Sequence, residues 1–196
     1  MKKPEKIRAI LLDRDGVVNE EPGPILEPST FRFIHGSIEA IARINKAGWL
    51  CLLATNQAAL ARGQMNHADL SAVTQKMNHG LLQGGAHIDA MYFCSHHPEW
   101  DCGRKLAQPR PCGCRKPEPG LLHTACGAHG IQPSETVMIG DTTKDFEASR
   151  RFGCFSIGVH TGHGGKDGNC NTEPNCWKDD LSSAVDWLID TERDLA

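Results

Sequence analysis

A short apolar segment that ends in two closely spaced carboxylates constrains this chain more than any other feature. Ala9–Leu12 is followed directly by Asp13 and Asp15, and then by Gly16. Four consecutive apolar residues predict a strand that is buried on both faces, as in a parallel sheet. Open parallel sheets bind ligands beyond the carboxyl ends of their strands, which is where both acids lie. Because residues i and i+2 point the same way and like charges repel, the segment predicts a cation-binding site, although a solvated turn also fits it.

Strand-like and helix-like segments alternate along the rest of the chain. Predicted strands cover residues 9–12, 49–54, 88–93, 136–139 and 154–159. Predicted helices cover residues 38–46, 66–82, 143–152 and 181–189, and a further helix opens within 115–120. Residues 160–177 are rich in glycine and predict a loop. The alternation predicts an α/β fold with a doubly wound parallel sheet.

Three of the predicted strands end in polar side chains. Asp13 and Asp15 follow the first strand, Thr55 and Asn56 follow the second, and Asp141 follows the fourth. Because the carboxyl ends of parallel strands lie at one edge of a sheet, we expect these side chains to converge. Such convergence is difficult to explain by solvated turns, and it favours a site that handles phosphate.

Length and composition bound the class of protein. A chain of 196 residues predicts a single domain, residues 1–196, with room for a substantial core. A net charge of -3 and a pI near 6.3 offer no basic surface for nucleic acid. No segment reaches the roughly 18 apolar residues that a membrane span requires, and the N-terminus lacks a signal-peptide pattern. We therefore expect a cytoplasmic monomer that binds neither nucleic acid nor membranes.

A segment rich in cysteine and histidine, at about residues 94–114, predicts a structural zinc site. In a cytoplasmic protein, clustered cysteines indicate metal ligands rather than disulfides. Three thiols and one imidazole select tetrahedral Zn²⁺ and leave no open position for catalysis. The four candidate ligands are Cys94, His96, Cys112 and Cys114, with 15 residues between the two pairs. Cys102 lies inside the segment and could replace one ligand, and His97 is a weaker candidate than His96.

The remaining cysteines are interpreted differently. Cys51, Cys126 and Cys154 lie in apolar contexts and are predicted to be core thiols. A second metal group could also form near the C-terminus, although its spacing is irregular. Its members would be His160, His163, Cys170 and Cys176.

The ordered motifs of residues 7 to 165 resemble those of the haloacid dehalogenase superfamily of phosphotransferases. They are most similar to the branch that contains the heptose-bisphosphate 7-phosphatases and the histidinol phosphatases. The motifs are Asp13-Arg14-Asp15-Gly16-Val17-Val18-Asn19, Thr55-Asn56-Gln57 with Ala61-Arg62-Gly63, Cys94-Ser95-His96-His97-Pro98, Cys114-Arg115-Lys116-Pro117, and Gly140-Asp141 with Asp145. The resemblance implies a Rossmann-like fold without a cap domain, extended by a zinc-binding loop.

The resemblance also implies roles for the acids. Asp13 would be the nucleophile that forms an aspartyl-phosphate, which splits one difficult displacement into two easier ones. Asp15 would protonate the departing sugar oxygen and then accept a proton from the attacking water. Mg²⁺ would bind Asp13, a backbone carbonyl at Asp15, and Asp141. Asp145 is expected to orient its neighbours or cap a helix rather than bind the metal directly.

The same resemblance implies a set of phosphoryl- and substrate-binding residues. Lys116 and the Thr55 hydroxyl would hold the phosphoryl oxygens, while Asn56 and Gln57 would complete this set. Arg115 would grip the remainder of the substrate through its bidentate guanidinium group. A sugar bisphosphate offers a second anion to Arg115, whereas histidinol phosphate offers a cation that Arg115 would repel.

We therefore expect hydrolysis of the 7-phosphate of D-glycero-D-manno-heptose 1,7-bisphosphate, a step toward nucleotide-activated heptose for lipopolysaccharide. Histidinol phosphate or another small sugar phosphate is the alternative substrate. A DNA 3'-phosphatase is disfavoured because the chain has no basic groove. A catalytically silent, zinc-bearing interaction module is the alternative from outside the enzymes, and the intact set of Asp13, Asp15, Lys116 and Asp141 argues against it.

Overall fold

A six-stranded parallel sheet forms the centre of the computed structural model, which describes residues 4–193. The strands are β1 Ala9–Leu12, β2 Leu50–Asn56, β3 Ala90–Cys94, β4 Trp100–Asp101, β5 Arg104–Lys105, β6 Thr136–Gly140, β7 Phe155–Val159 and β8 Cys176–Lys178. The helices are α1 Ser37–Lys46, α2 Ala58–Ala61, α3 His67–Gln83, α4 Gly120–Ala128, α5 Thr143–Phe152 and α6 Leu181–Arg193. Within this described range, no helix has both the length and the apolar character needed to cross a membrane.

The strand order is β3-β2-β1-β6-β7-β8, and every neighbouring pair in this sheet is parallel. The chain winds outward from β1 through β2 to β3, and then returns to β6 on the other side of β1. The order therefore reverses between β1 and β6, the position at which open α/β sheets form their ligand crevice. The predicted doubly wound parallel sheet is confirmed. Between β3 and α4, the described chain adds only a loop that contains the β4–β5 hairpin.

Alternating side chains of β1 bury against two separate helical layers. Ile10 and Leu12 pack with residues of α1, α3 and α6, whereas Ala9 and Leu11 pack with residues of α4 and α5. All four side chains are fully buried, because both faces of the sheet are covered. Replacing a Leu at such a position by Ala typically costs about 2–5 kcal/mol of stability. Strong packing on both faces holds the end of β1 in place, and with it the acids that follow.

Several elements differ from the sequence-based expectation, among them α2 and the β4–β5 hairpin, which were not predicted. β2 continues to Asn56, so Thr55 and Asn56 are the last residues of the strand rather than residues of a following loop. β8 lies at the end of the predicted 160–177 loop and pairs with β7. Its central Trp177 ring packs 5.3 Å from the ring of Phe146. A strand of three residues is too short to show an alternating pattern, so only this tertiary packing identifies it.

Candidate active site

A buried lysine bridges two carboxylates at the carboxyl edge of the sheet. Lys116 Nζ lies 3.0 Å from Asp13 Oδ2 and 2.5 Å from Asp145 Oδ1, and the lysine side chain is only 1% exposed. Burial alone would lower the pKa of Lys116, but the charges of Asp13 and Asp145 outweigh it and raise that pKa. Lys116 therefore stays protonated in a region of low dielectric, where its charge acts strongly on anything bound beside Asp13.

Asp141 follows β6 and lies beside Asp13 and Asp145, and one of its carboxylate oxygens has no hydrogen-bond partner in the described chain. Its Oδ2 accepts a hydrogen bond from the backbone N–H of His163 (2.7 Å), whereas its buried Oδ1 has no hydrogen-bond partner among residues 4–193. Burial, followed by the charges of Asp145 and Asp13, raises the pKa of Asp141 to about 9. Oxygens of Asp13, Asp141 and Asp145 lie within 4.8 Å of one another. The orphaned oxygen and the clustered carboxylates fit a hard divalent cation.

Gly16 allows the loop after β1 to pass directly over this cluster. Its φ of 81° lies in the left-handed region, and a Cβ atom at this position would overlap the carboxylate of Asp141. A larger residue would displace the acid, so the glycine of the Asp-x-Asp-Gly motif is a steric requirement of the site.

The carboxylate of Asp15 is held by three side chains. Arg14 donates to both of its oxygens at 2.9–3.0 Å, Asn19 Nδ2 donates at 2.9 Å, and Gln57 Nε2 donates at 3.1 Å. Arg14 itself is 1% exposed, so its guanidinium group forms this ion pair with Asp15 inside the protein. These bonds fix Asp15 at the edge of the cavity that Asp13 also lines.

The polar residues at and after the end of β2 have distinct contacts. The amide of Asn56 forms two hydrogen bonds with the backbone of Lys116. Its Nδ2 donates to the Lys116 carbonyl (3.0 Å), and its Oδ1 accepts from the Lys116 N–H (3.1 Å). The Thr55 hydroxyl accepts from Gln57 Nε2 at 3.0 Å and lines the cavity. Asn56 thus acts on Lys116, and Gln57 on Asp15, in addition to lining the cavity.

One cavity of about 440 Å³ joins all of the predicted catalytic and substrate-binding residues, whereas Asp141, a predicted magnesium ligand, is not part of its lining. Arg115 lies on its wall, with Nη1 donating to the His96 carbonyl at 3.1 Å. On another part of the lining, His163 Nε2 lies 3.3 Å from Glu21 Oε2. Burial, followed by the charges of Asp15 and Asp13, raises the pKa of Glu21 to about 7. The cavity is therefore polar and carries cations and anions on its walls.

The four predicted zinc ligands come together in the loop after β3. The Sγ atoms of Cys94, Cys112 and Cys114 lie 3.2–3.6 Å apart, and His96 Nδ1 lies 3.3 Å from Cys114 Sγ and 3.6 Å from Cys94 Sγ. A tetrahedral zinc ion would set its sulfur ligands about 3.8 Å apart and its sulfur and nitrogen ligands about 3.5 Å apart. The cluster therefore has the donor set and the size for Zn²⁺.

The alternative metal ligands lie elsewhere. Cys102 is exposed near the tip of the β4–β5 hairpin, with Sγ 3.3 Å from Asp101 Oδ1, and the His97 ring contacts Arg62 and Glu99. The second group is not brought together in the described chain: His160 stacks on Trp177, His163 faces Glu21, Cys170 lies against Thr143, and Cys176 pairs with β7. The core assignment of Cys51, Cys126 and Cys154 is confirmed, since all three are buried.

Four titratable residues that line the cavity were not in the predicted catalytic or substrate-binding set, and one of them, His163, was instead a candidate ligand of the second metal group. These are Glu21, Arg62, Lys144 and His163. Arg62 stood inside a recognised motif, and Lys144 lies between Asp141 and Asp145, so proximity to motifs was the available signal. Glu21 and His163 are far apart in the sequence, and only the fold of their two loops brings them together.

Comparison with known proteins gives a consistent result. A HAD-hydrolase-like family model matches residues 113–184. The chain is 37% identical over 161 residues to the D-glycero-beta-D-manno-heptose-1,7-bisphosphate 7-phosphatase of Bordetella bronchiseptica, an alignment that covers 82% of this chain and 84% of that one. It is 35% identical over 185 residues to the D-glycero-D-manno-heptose-1,7-bisphosphate 7-phosphatase of Thermosynechococcus vestitus, which covers 92% and 94%.

Solved structures agree with these relatives. The D,D-heptose 1,7-bisphosphate phosphatase of B. bronchiseptica, complexed with magnesium and phosphate, superposes with a TM-score of 0.84 at 33% identity, over 94% of this chain and 99% of that one. The corresponding enzyme of Burkholderia thailandensis gives a TM-score of 0.68 at 28% identity, over 92% and 98%. The resemblance inferred from the motifs therefore extends over nearly the whole described fold.

Proposed function

The chain belongs to the HAD-like hydrolases and, within them, to the heptose-1,7-bisphosphate 7-phosphatase family, and we propose that it removes the 7-phosphate of D-glycero-D-manno-heptose 1,7-bisphosphate. The observation that carries this proposal is the pairing of Asp13 with the buried Lys116 in a cavity that Arg115 also lines. The product keeps its anomeric phosphate, as nucleotide activation of the heptose for lipopolysaccharide requires.

Asp13 is the nucleophile of the proposed reaction. One of its oxygens attacks phosphorus, the bond from phosphorus to the sugar oxygen breaks, and an aspartyl-phosphate forms. Lys116 neutralises charge that develops on the phosphoryl oxygens, and the Thr55 hydroxyl donates to one of them. Water then attacks the aspartyl-phosphate and releases inorganic phosphate, which restores the Asp13 carboxylate.

Asp15 transfers the protons. It protonates the departing sugar oxygen and afterwards accepts a proton from the attacking water. In the observed arrangement both of its oxygens accept N–H bonds, three of them from Arg14. A protonated Asp15 offers one acceptor fewer, so proton delivery requires the side chain to leave part of this set and turn toward the cavity.

Two metals fit the donors that the fold brings together. Mg²⁺ would be held by Asp13, Asp141 and the backbone carbonyl of Asp15, where it supplies positive charge that offsets the acids and orients the phosphoryl group. Zn²⁺ would be held in the loop by its four soft ligands and would order that loop. These ligands are Cys94, His96, Cys112 and Cys114.

The cellular setting follows from the sequence rather than from the site. The expectation of a single-domain, cytoplasmic monomer that binds neither nucleic acid nor membranes stays a prediction, supported by the net charge of -3 and by the small substrate the cavity admits.

Arg115 provides the test of the substrate. Phosphate release is measured for the heptose bisphosphate, histidinol phosphate and p-nitrophenyl phosphate, with wild type, Arg115→Ala and Arg110→Ala. Arg110 is an exposed arginine of the same loop that lies outside the cavity, so its variant controls for loss of charge. A charged hydrogen bond contributes about 1.5–3 kcal/mol, so Arg115→Ala should lower kcat/KM for the bisphosphate roughly 10- to 100-fold.

The aryl phosphate lacks a second anion, so Arg115→Ala should change its hydrolysis little. Arg110→Ala should resemble wild type with every substrate. A wild-type preference for histidinol phosphate would contradict the proposal, and so would an equal loss of both activities in Arg115→Ala.

A further inference from the structure

Arg62 is a second guanidinium on the wall of the active-site cavity. It follows α2 directly, it is exposed, and it lines the same cavity as Asp13 and Arg115. Among residues 4–193, no carboxylate oxygen lies within 4.0 Å of the guanidinium nitrogens of either Arg62 or Arg115. The two charges are close enough for Arg62 to act electrostatically on Arg115. Two guanidinium groups that lack a carboxylate partner repel each other, and an anion bound in the same cavity would attract both.

The contact between Arg62 and His97 strengthens this interpretation. The backbone N–H of Glu99 donates to His97 Nδ1 at 3.1 Å, so Nδ1 carries the lone pair and Nε2 carries the ring proton. Arg62 Nη2 lies 3.2 Å from that Nε2. Both nitrogens are then donors, and neither can accept from the other. An anionic oxygen beside them would accept from both.

We propose that Arg62 forms, with Arg115, the binding site for the phosphate group that is not transferred, and thereby sets the preference for a bisphosphate over a monophosphate. This inference rests on the proposed function, because it takes Asp13 as the site of phosphoryl transfer. Lys116 and Thr55 hold the transferred group beside Asp13, and the two arginines hold the anomeric phosphate at the wall of the cavity.

The hairpin of the zinc-ligand loop fixes Arg62 in place. The Gly103 N–H, at the tip of the β4–β5 hairpin, donates to the Ala61 carbonyl at 2.9 Å. A Cβ atom on Gly63 would lie 2.8 Å from the Gly103 Cα, so the two backbones approach very closely on the other side of Arg62. The insertion that carries Arg115 therefore also positions Arg62, which explains how two arginines from separate segments can act on one anion.

Steady-state kinetics with matched substrates test the proposal. The substrates are the heptose 1,7-bisphosphate and the same heptose 7-phosphate without the anomeric phosphate, and the proteins are wild type, Arg62→Met, Arg62→Lys, Lys144→Met and Arg104→Met. Arg62→Met should lower kcat/KM for the bisphosphate roughly 10- to 100-fold, mainly through KM, because the lost contact is made equally before and during the transition state. Its effect on the monophosphate should stay within about threefold.

The other variants sharpen the comparison. Arg62→Lys keeps the positive charge but loses the bidentate hydrogen bonding of the guanidinium group. Its kcat/KM for the bisphosphate should therefore lie between those of wild type and Arg62→Met. Arg104→Met removes a charge from the same hairpin outside the cavity and should resemble wild type. Circular dichroism and zinc content should be unchanged in Arg62→Met, since Arg62 is exposed and its side chain packs in no core.

Each outcome separates the inference from the proposed function. If wild type prefers the bisphosphate and Arg62→Met keeps that preference, the Arg62 assignment is wrong and the proposed function stands. If Lys144→Met rather than Arg62→Met abolishes the preference, the second anion binds at the N-terminus of α5 and the inference is also overturned. If wild type hydrolyses neither heptose phosphate, the proposed function itself fails, and the Arg62 inference fails with it.

Discussion

The unsatisfied carboxylate of Asp141 should make the stability of the protein depend on both pH and magnesium. Without a divalent cation, burial and neighbouring acids raise the pKa of Asp141 to about 9, from an ordinary value of 3.8. Between these two values the folded protein holds a proton on Asp141 that the unfolded chain has lost. The free energy of unfolding of the magnesium-free protein therefore declines as the pH rises through this window.

The size of the effect follows from the same shift. One pH unit inside the window is worth roughly 1.4 kcal/mol, so the decline between pH 6 and pH 8 amounts to about 2–3 kcal/mol from this group. For a protein of this length, 1 kcal/mol corresponds to roughly 2–4 °C in Tm, which gives a fall of roughly 5–10 °C. Mg²⁺ binds only the ionised carboxylate, so it should stabilise the protein more at pH 8 than at pH 6.

Calorimetry of wild type and Asp141→Asn checks this prediction. Unfolding is followed at pH 6, 7 and 8 in buffer stripped of divalent cations but free of chelator, so that the cysteine cluster keeps its metal. Asp141→Asn cannot ionise at this position, so without magnesium its Tm should change less with pH and should exceed that of wild type at pH 8. Titration calorimetry in two buffers of different ionisation enthalpy should detect close to one proton released per Mg²⁺ at pH 7. Parallel pH profiles for the two proteins, or magnesium binding without proton release, would refute the reasoning.

Two further predictions concern the catalytic acids and the cysteine cluster. Asp13→Asn should abolish phosphatase activity without unfolding the protein, since an amide cannot form the acyl-phosphate. Asp15→Asn should lose most activity, because it cannot protonate the leaving group. Wild-type turnover by Asp13→Asn, measured as phosphate release, would exclude Asp13 as nucleophile. Purified protein should contain close to one zinc ion per chain. Cys114→Ser should release this ion and lower kcat/KM for the bisphosphate. Elemental analysis that finds no zinc in protein prepared without chelator would count against a zinc site in the cluster.

Much of this fold could be predicted because its strands are buried on both faces. The apolar segments of β1, β2 and β6 stand out from their surroundings, and the polar residues that end them mark the carboxyl edge of the sheet. The position of β8 could not be predicted, since it depends on Trp177 packing against Phe146 and His160. Local sequence pattern therefore predicted the edge of the sheet that carries the candidate site, whereas only tertiary packing determines the outer strand.

The candidate site divides in the same way. Residues whose proposed role follows from reaction chemistry, such as Asp13 and Lys116, could be selected from their motifs, and the fold brings them together. Residues whose role is to hold others could be assigned only from contacts. Asn56 was expected to bind substrate, which stays a prediction since it lines the cavity, but its two amide hydrogen bonds to the backbone of Lys116 were not expected. Such contacts join segments that are 60 residues apart, and no local spacing encodes them.

Under the proposed function, the loop after β3 connects catalysis with substrate selection. Its first candidate metal ligand, Cys94, ends β3, and its last, Cys114, directly precedes Arg115 and Lys116. A metal in this cluster would tie the sheet to the two cations that hold the two ends of the substrate, while the hairpin reaches back to the peptide before Arg62. Residues 4–193 form no separate cap domain, so under the proposed function this loop supplies and positions the charges that recognise the part of the substrate remote from Asp13. A change in the length of this loop or in its metal should therefore change the substrate preference more than it changes the rate of phosphoryl transfer to Asp13.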